Sequence, residues 1–364
     1  MTPKAIKAKE NLSEFKVKVE DELEKIFKDE IEIAKEFTPY AVDYINELKN
    51  VTLAGGKRLR AAFVYYTYIM HGGNKLDEIL RVCAAIELIH AFFLVEDDFM
   101  DEAETRRGYP TIHRTYEEMH EKNDYKKDSH HFGNTIAVNV GIIGDHMALN
   151  LVNNANFAPE LIIKAMNRLN RQVITTGHGQ IHDVLNEVRS ELTEQDIINV
   201  LHWKTGIYTY DNPIHIGAIL AGANDSELKD LSRYAVPGGV AFQIQDDILG
   251  SFGDESKTGK SASSDIKEGK QTLLTFKAYD EGTEEDRQVL DEVLGDMDAT
   301  DEDIDSVREI FLRTGALEYS KAKALELVHE AKDALANNQQ NGNWNQEGRD
   351  FLEGIADYMI DRDL

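Results

Sequence analysis

A helical spacing of apolar residues runs along almost the whole chain and constrains the fold more than any other feature. Between Leu12 and Phe27, apolar residues recur three or four positions apart, with Glu and Lys between them. This is the periodicity of an amphipathic helix. The same spacing returns at residues 60–71, 76–102, 136–155, 158–189, 194–222, 225–250, 270–281, 303–313 and 317–336, and no convincing run of two-residue alternation is present. The chain is therefore predicted to be all-α.

Glycine-rich segments mark breaks between these helices. They are Ala54–Lys57, His71–Gly73 and Gly108–Pro110. The polar tract from Asn123 to Asn134 has no apolar period, and it predicts a surface loop.

Caps and prolines refine the helix boundaries. Thr193 and Thr300 are each followed by an aspartate three residues on, which predicts helix N-termini capped by the threonines. Pro213 and Pro237 fall inside apolar helical stretches, where a proline removes a backbone donor and kinks the helix. Bent helices are therefore expected.

The chain of 364 residues contains no Ser/Gly/Pro-rich linker and no internal repeat. Length alone would allow two domains, but the helical pattern is continuous and no linker divides it. We therefore predict a single all-helical domain over residues 1–364.

Charge and cysteine content exclude some partners and compartments. Forty basic and 67 acidic residues give a net charge of −27, so the backbone of a nucleic acid would be repelled. The N-terminus lacks the apolar core of a signal peptide, and no run of about 20 apolar residues is present to span a bilayer. Cys83 is the only cysteine, so no intrachain disulfide can form. A cytoplasmic protein with no nucleic-acid partner and no membrane span is expected.

An apolar helical segment is followed directly by three carboxylates, those of Asp97, Asp98 and Asp101. On a helix that turns about 100° per residue, Asp97 and Asp101 lie about 40° apart, and Asp98 lies about 60° from Asp101. Carboxylates on one helix face repel each other unless cations lie between them. Oxygen ligands in an open geometry suit Mg²⁺, which shares its coordination with substrate phosphates. The segment is therefore a candidate magnesium site.

A second segment repeats this arrangement, with an apolar helix followed by Asp246 and Asp247. Two aspartate pairs on separate helices of one bundle can face each other and hold a cluster of divalent ions. One acidic pair would be an ordinary solvated helix end, whereas two indicate a site.

Positive charge is gathered near both acidic motifs. The basic residues are Lys57, Arg58 and Arg60; Arg106 and Arg107; and Lys257, Lys260, Lys267 and Lys270. In a chain of net charge −27, basic clusters beside metal-binding aspartates imply a small polyanionic ligand, most simply a diphosphate.

At these residues the sequence resembles the trans-isoprenyl diphosphate synthases, the family that includes farnesyl and geranylgeranyl diphosphate synthases. The likeness extends over residues 55–270 in the family's order: GGKRLR from Gly55, DDFMDEAETRRG from Asp97, GQIHD from Gly179, KT at Lys204, FQIQDD from Phe242 and TGK from Thr258. It implies the isoprenoid synthase fold, a helical bundle around a central cavity. It also implies a Mg²⁺-dependent prenyltransferase that joins isopentenyl diphosphate head to tail (1′–4) to dimethylallyl, geranyl or farnesyl diphosphate.

The resemblance implies a role for each matching residue. The diphosphate of isopentenyl diphosphate would be held by Lys57, Arg58, His90 and Arg107. Three Mg²⁺, for which Mn²⁺ could substitute, would bind Asp97, Asp101 and Asp246 and clamp the allylic diphosphate together with Arg106, Lys204 and Lys260. The supporting residues would be Asp98, Gln180, Asp183, Asp247 and Lys270, the last also against substrate. Thr205 and Gln243 would lie near the developing carbocation, so that the catalytic set is Arg106, Lys204, Thr205 and Gln243.

Two aromatic residues precede the first aspartate. Phe93 lies one helical turn before Asp97 and Phe92 lies beside it. In the resembled family, bulky side chains at these positions limit the length of the product. The pair therefore favours a C15 product, farnesyl diphosphate, over C20.

Two residues depart from the family pattern. Gly250 stands where many members carry a third aspartate, and Glu96 replaces a common histidine or alanine. Two other functions stay open, a class I terpene cyclase and a regulatory subunit of a heteromeric synthase. The GGKR segment and Arg107 count against the first, and the presence of both acidic motifs counts against the second. The resemblance also implies a homodimer.

Overall fold

The computed structural model describes residues 1–189, 191–253, 263–337 and 344–360. In this part of the chain the regular structure is helical apart from one two-stranded hairpin, β1 (Thr105–Arg106) and β2 (Tyr109–Pro110). The helices before residue 190 are α1 (Pro3–Ala34), α2 (Pro39–Leu53), α3 (Leu59–Met70), α4 (Leu76–Met100), α5 (Ile112–Lys122), α6 (Ser129–Asn153) and α7 (Pro159–Val188). The prediction of an all-α chain is confirmed.

The later helices are α8 (Glu194–Val200), a π-helical segment (Leu201–Asp211), α9 (Asn212–Leu220), α10 (Asp225–Phe252), α11 (Ser264–Lys267), α12 (Leu273–Glu281), α13 (Glu284–Val293), α14 (Asp301–Arg313), α15 (Ala316–Asn337) and α16 (Gln346–Ile360). The chain forms two compact units. We name residues Glu10–Tyr65 and Gly73–Met166 the N-terminal unit, and Met1–Lys9, Tyr66–Gly72 and Asn167–Leu364 the C-terminal unit.

In the N-terminal unit, α6 packs against α4 and α5, and α2 packs against α4 and α6. Small residues on α6 make this packing close. A Cβ at Gly133 would lie 3.1 Å from the backbone nitrogen of Glu117 on α5, and one at Gly144 would lie 3.1 Å from the Leu48 side chain on α2. Glycine removes the side chain that would separate these helices.

In the C-terminal unit, α10 is the central helix and packs mainly against α15 and the π-helical segment. Pro237 lies inside α10, as predicted, and is buried. Pro213 is the second residue of α9, which follows the π-helical segment without a break. It therefore lies inside a continuous helical stretch, as predicted, at the point where π-helical geometry gives way to α-helical geometry.

Threonine caps begin several helices. Thr193 and Thr300 form capping boxes with Asp196 and Asp303, so both predicted N-termini are confirmed. Each threonine hydroxyl accepts a hydrogen bond from the backbone of the aspartate, which in turn accepts one from the threonine N–H. These pairs satisfy donors that a helix N-terminus leaves without partners.

The predicted loop over residues 123–134 is wrong in its second half, since α6 begins at Ser129. The local reason is a cap: the Asp128 carboxylate accepts a hydrogen bond of 2.6 Å from the backbone N–H of His131. The sequence did not indicate this helix start because the polar residues after Asp128 show no apolar periodicity.

Helix α6 is long and apolar enough, by length and composition alone, to cross a membrane. The expectation from the sequence was that no segment could do so. Helix α6 packs against α4 and α5, and core helices of soluble proteins pass the same test. The absence of a membrane span stays a prediction.

Candidate active site

A tight hairpin follows α4 and separates two adjacent arginines. Arg106 pairs with Tyr109 across β1 and β2, so Arg107 and Gly108 are the two loop residues. Both have positive φ, 54° and 79°, as a type I′ turn requires. Arg106 and Arg107 therefore contact different parts of the N-terminal unit.

Arg106 contacts the first acidic motif. Its Nε donates to the carboxylate of Asp98, which is only 2% exposed, and its Nη2 lies 3.7 Å from Asp97 Oδ2. Burial lowers the pKa of Arg106, but Asp98 and Asp97 outweigh that effect and raise it. Asp97 is half-buried and Asp101 is exposed at the C-cap of α4. The buried aspartate is thus neutralised by protein, and the other two lie nearer solvent.

Arg107 contacts the glycines before Lys57. Its Nη1 donates to the Ala54 carbonyl at 2.8 Å, and a Cβ at Gly56 would lie 3.4 Å from its Nη2. Gly56 also has a φ of +95°, in the left-handed region that favours glycine. Glycine at this position therefore lets the loop approach the guanidinium.

Arg58 is buried in an ion-pair network, which counts against the direct diphosphate contact expected from the sequence. It donates to Glu20 Oε1 at 2.9 and 3.0 Å, to the Thr52 carbonyl at 2.7 Å and to Glu87 Oε2 at 3.2 Å. Its side chain is 3% exposed. Four of its N–H directions are used inside the protein, so Arg58 holds the segment in place.

His90 lies among arginines. Burial lowers the pKa of His90 well below its usual value, and the positive charges of Arg60, Arg107, Arg106 and Arg58 lower it further. The imidazole is therefore neutral at neutral pH, and the positive charge of this region comes from guanidinium groups. Sequence reasoning noted Arg60 in a basic cluster but gave it no role, although its effect on His90 is the largest of the four arginines.

Glu96 and Phe92 face α6. A Cβ at Gly141 would lie 2.7 Å from Glu96 Oε1 and 3.3 Å from Phe92 Cδ2. Burial raises the pKa of Glu96 to about 7. The Phe92 and Phe93 rings are half-buried, with centroids 5.1 Å apart. Glu96 thus occupies room that Gly141 leaves, and the two aromatic rings lie next to each other.

In the C-terminal unit, the π-helical segment carries Lys204 and Thr205. Lys204 Nζ donates to Asp183 Oδ2 at 2.6 Å, and Asp183 is 6% exposed. A Cβ at Gly179 would lie 2.6 Å from the Trp203 carbonyl carbon and 2.7 Å from Lys204 Cα. The glycine of the GQIHD motif therefore lets α7 touch the backbone that carries Lys204.

A second glycine contact lies two residues further along the π-helical segment. A Cβ at Gly239 on α10 would lie 2.8 Å from Gly206 Cα. Lys204 and Thr205 are thus held between a contact to α7 and a contact to α10. Gln243, one helical turn beyond Gly239, is buried and donates to Asp247 Oδ1 at 2.8 Å.

The second acidic motif has the same organisation as the first. Asp247 is 2% exposed, and its Oδ1 accepts a hydrogen bond of 3.0 Å from Lys270 Nζ. Burial raises the pKa of Asp247 to about 6 although Lys270 lowers it. Asp246, one residue earlier, is exposed. In both motifs a basic side chain neutralises the second aspartate of the pair, whereas the first is more exposed.

The other site residues predicted from the sequence differ in their exposure to solvent. Lys57 is exposed, and Thr205 and Gln180 are half-buried. Lys260 lies outside the described residues. Asp97 and Asp101 belong to the N-terminal unit and Asp246 to the C-terminal unit. In the described part of the chain, no three His, Cys, Asp or Glu side chains come together as a metal-binding group.

Comparisons with known proteins agree with this fold and these motifs. The all-helical architecture is the isoprenoid synthase fold, and the solved geranylgeranyl pyrophosphate synthase of Corynebacterium glutamicum, complexed with isoprenyl diphosphate and magnesium, superposes with a TM-score of 0.88 at 28% identity over 95% of this chain and 98% of that one. Residues 42–311 match the polyprenyl synthetase family model. The chain belongs to the polyprenyl synthetase family, and it is a prenyltransferase of the short-chain isoprenyl diphosphate synthase type.

Curated relatives carry related names. The geranylgeranyl diphosphate synthase of Sulfolobus acidocaldarius is 32% identical over 85% of this chain and 88% of its own length. The geranylfarnesyl diphosphate synthase of Aeropyrum pernix is 31% identical over 85% of this chain and 91% of its own length. The resemblance inferred from the sequence motifs is therefore confirmed at the level of family.

Proposed function

We propose that the protein is a single catalytic domain over residues 1–364 that catalyses the Mg²⁺-dependent 1′–4 condensation of isopentenyl diphosphate with an allylic diphosphate, giving a short-chain all-trans prenyl diphosphate. The observation that carries the proposal is the shared organisation of the two acidic motifs. In each, a buried aspartate is neutralised by Arg106 or Lys270 while its neighbour, Asp97 or Asp246, is more exposed. Asp97 and Asp246, held in this way, are better suited to binding cations than to packing inside the protein.

Asp97, Asp101 and Asp246 are the proposed ligands of three Mg²⁺, with Mn²⁺ as a substitute. The donor set fits, because all three offer carboxylate oxygens near solvent, and Mg²⁺ prefers oxygen ligands and keeps several waters. When bound, the ions stabilise the negative charge of the departing diphosphate. The solved Corynebacterium synthase, which is complexed with magnesium, supports this choice of metal.

The diphosphate of isopentenyl diphosphate is assigned to Lys57, His90, Arg107 and Arg60. Arg60 replaces Arg58 in this set because the Arg58 guanidinium is used by Glu20 and Glu87. A neutral His90 beside several arginines can donate its ring N–H to a phosphate oxygen without adding charge.

The allylic diphosphate is assigned to Arg106, Lys204, Lys260 and Lys270, with Gln180, Asp183, Asp98 and Asp247 fixing these cations. The allylic carbon–oxygen bond breaks and its electron pair leaves with the diphosphate, which the fixed cations stabilise as charge develops. Thr205 and Gln243 are assigned to positions near the developing carbocation. The isopentenyl double bond attacks that cation and leaves a new tertiary cation. This cation loses a proton from the neighbouring carbon to the departing diphosphate, and the C–H electron pair forms the double bond of the product. Exclusion of water prevents quenching of the cation.

Product length is proposed as C15 or C20. The half-buried pair Phe92 and Phe93 favours C15, since two bulky rings leave little room for a longer chain. The relatives named geranylgeranyl diphosphate synthase favour C20. The substrates are accordingly dimethylallyl and geranyl diphosphate, with farnesyl diphosphate as the third partner if the product is C20.

A cytoplasmic homodimer is also proposed. Helix α7 exposes apolar side chains in the C-terminal unit, with Ile181 60% and Val188 80% exposed. Ile174, Val184 and Leu185 on the same helix are also exposed. Exposed apolar groups of this kind commonly mark a protein interface.

The test is a chromatographic product profile. Purified protein receives isopentenyl diphosphate with a C5, C10 or C15 allylic partner in turn, with Mg²⁺ and with a chelator. Chain growth that needs the metal and stops at C15 is expected from the Phe92 and Phe93 pair, and growth to C20 would keep the chemistry and place the limit elsewhere. Absence of elongation from every partner would contradict the proposal in favour of a terpene cyclase or a regulatory subunit.

A further inference from the structure

The space above Gly250 is filled by another carboxylate. Gly250 stands four residues after Asp246, where the sequence lacks a third aspartate. A Cβ built at Gly250 would lie 2.5 Å from Asp265 Cγ and 2.9 Å from its Oδ1. Real Cβ atoms essentially never come this close to other atoms. The Asp265 carboxylate therefore occupies the room that a side chain at position 250 would need.

Asp265 is fixed beside the second acidic motif. It lies on α11, its side chain is 12% exposed, and its Oδ2 lies 3.8 Å from Lys270 Nζ. Lys270 also donates to Asp247 Oδ1, and among the described residues Asp247 Oδ2 is buried without a hydrogen-bond partner. Asp265 and Asp247 thus place two carboxylates beside one ammonium group. This excess of negative charge is costly unless a cation or its bound water is present.

We propose that Asp265 supplies the third carboxylate of the second acidic motif, in place of the aspartate that Gly250 lacks. The inference rests on the proposed function. The Asp265 carboxylate already lies over Gly250 and beside Lys270, so we assign it the role of a positioning residue: it orients Lys270 and would accept hydrogen bonds from water bound to the metal. Mg²⁺ keeps several waters when it binds protein, and partners of such waters hold the ion in place.

The test uses full-length protein and a readout that needs no turnover, the Mg²⁺-dependent binding of inorganic pyrophosphate by calorimetry. Asp265→Asn keeps the shape of the side chain over Gly250 and removes its charge. We expect it to weaken binding by about 10- to 100-fold, the usual effect of removing an outer partner of a metal site. Asp333→Asn, an exposed aspartate on α15, is the matched control and should bind like the wild type.

A second experiment moves the carboxylate from position 265 to position 250 and is the sharper test. Gly250→Asp alone should weaken binding, because its side chain and the Asp265 carboxylate need the same volume and repel each other. Asp265→Ser alone should weaken binding as well. The double variant, Gly250→Asp with Asp265→Ser, returns one carboxylate to the same space, and we expect binding within about threefold of the wild type, a range that corresponds to well under 1.4 kcal/mol.

The negative results distinguish a failure of the inference about Asp265 from a failure of the proposed function. Wild-type affinity in Asp265→Asn would overturn the inference, as would a double variant that binds no better than Asp265→Ser. Both results would leave the proposed function intact. If the wild type itself shows no Mg²⁺-dependent binding of pyrophosphate, the proposed function fails and this inference fails with it. Circular dichroism of each variant shows that the fold is kept.

Discussion

Arg58 and Arg60 lie two positions apart in one basic motif, yet the structure gives them different surroundings. Arg58 neutralises Glu87, which is 3% exposed, and Glu20. Arg60 contributes positive charge at His90. At the scale of single residues, the carboxylates of Glu20 on α1 and Glu87 on α4 therefore distinguish Arg58 from Arg60, which we propose binds substrate.

The first prediction separates these roles. Arg58→Met should lower stability by about 3 kcal/mol, since it leaves a buried carboxylate without its partner. Arg60→Met should leave the melting temperature nearly unchanged and raise the KM for isopentenyl diphosphate at least tenfold. Calorimetric unfolding and steady-state kinetics on both variants check this. A stable Arg58→Met with a raised KM would reverse the assignment.

The sequence motifs select candidate site residues but do not indicate that Arg58 and Arg60 have different surroundings. The motif GGKRLR fixes which basic residues are present, and the resemblance selected Arg58 from it. Only tertiary packing shows that Glu20, far away in sequence, occupies the Arg58 guanidinium. The same limit applies to Asp265, because no local pattern indicates that a residue on α11 fills the space over Gly250.

A second prediction concerns Cys83, which is fully buried and whose Sγ lies 3.2 Å from the Ala61 carbonyl oxygen. Burial raises the pKa of the Cys83 thiol well above its usual value. The folded protein therefore holds the protonated thiol at pH 8, and only the thiolate reacts with disulfide reagents. Ellman's reagent should detect no thiol in the native protein and one in the denatured protein. Rapid reaction of the native protein would contradict the burial.

At the scale of helices, the site depends on close backbone contacts made by glycine. The π-helical segment touches α7 at Gly179 and α10 at Gly239, on either side of Lys204 and Thr205. π-Helical turns are rare and are frequently found at functional sites. The sequence predicted a helix over residues 194–222 but not its π-helical part, because apolar periodicity does not distinguish the two geometries over so short a segment.

The third prediction tests the contact at Gly179. Gly179→Ala would push the backbone of Trp203 and Lys204 away from α7, since the added methyl would meet backbone atoms. We expect kcat to fall at least 100-fold, because a displacement of about 1 Å can cost that much. The KM for isopentenyl diphosphate should change little, since the Lys57 and His90 region lies in the other unit.

Gly177→Ala is the matched control on the same helix, because a Cβ there meets nothing within 4 Å. Replacing glycine by alanine inside a helix also favours folding by about 0.5–1 kcal/mol. The control should therefore keep full activity and melt at an equal or higher temperature. Because Gly177 shares an exposed face of α7 with Ile174 and Ile181, gel filtration checks that its oligomeric state is that of the wild type. If both variants retain activity, the contact at Gly179 does not position Lys204.

At the scale of the whole molecule, the net charge of −27 is the dominant electrostatic property. A large net charge keeps a protein soluble but destabilises its compact state through self-repulsion. Both proposed substrates are polyanions, so their binding depends on local positive charge at the arginines around His90 and at Lys204 and Lys270. The acidic composition thus costs stability and requires a strongly basic site.

The last prediction follows from this self-repulsion. Screening shortens the range of the repulsion from about 30 Å at 0.01 M salt to about 3 Å at 1 M. The melting temperature should therefore rise by several degrees over this range, with most of the rise below about 0.3 M. Differential scanning calorimetry in a chelating buffer measures it without bound divalent ions. Sodium chloride and choline chloride should act equally, because screening depends on ionic strength and not on the cation. A rise with sodium alone would indicate a specific cation site. A flat or falling curve would show that the screening of exposed ion pairs, such as Lys35 with Glu32, outweighs the screening of the self-repulsion.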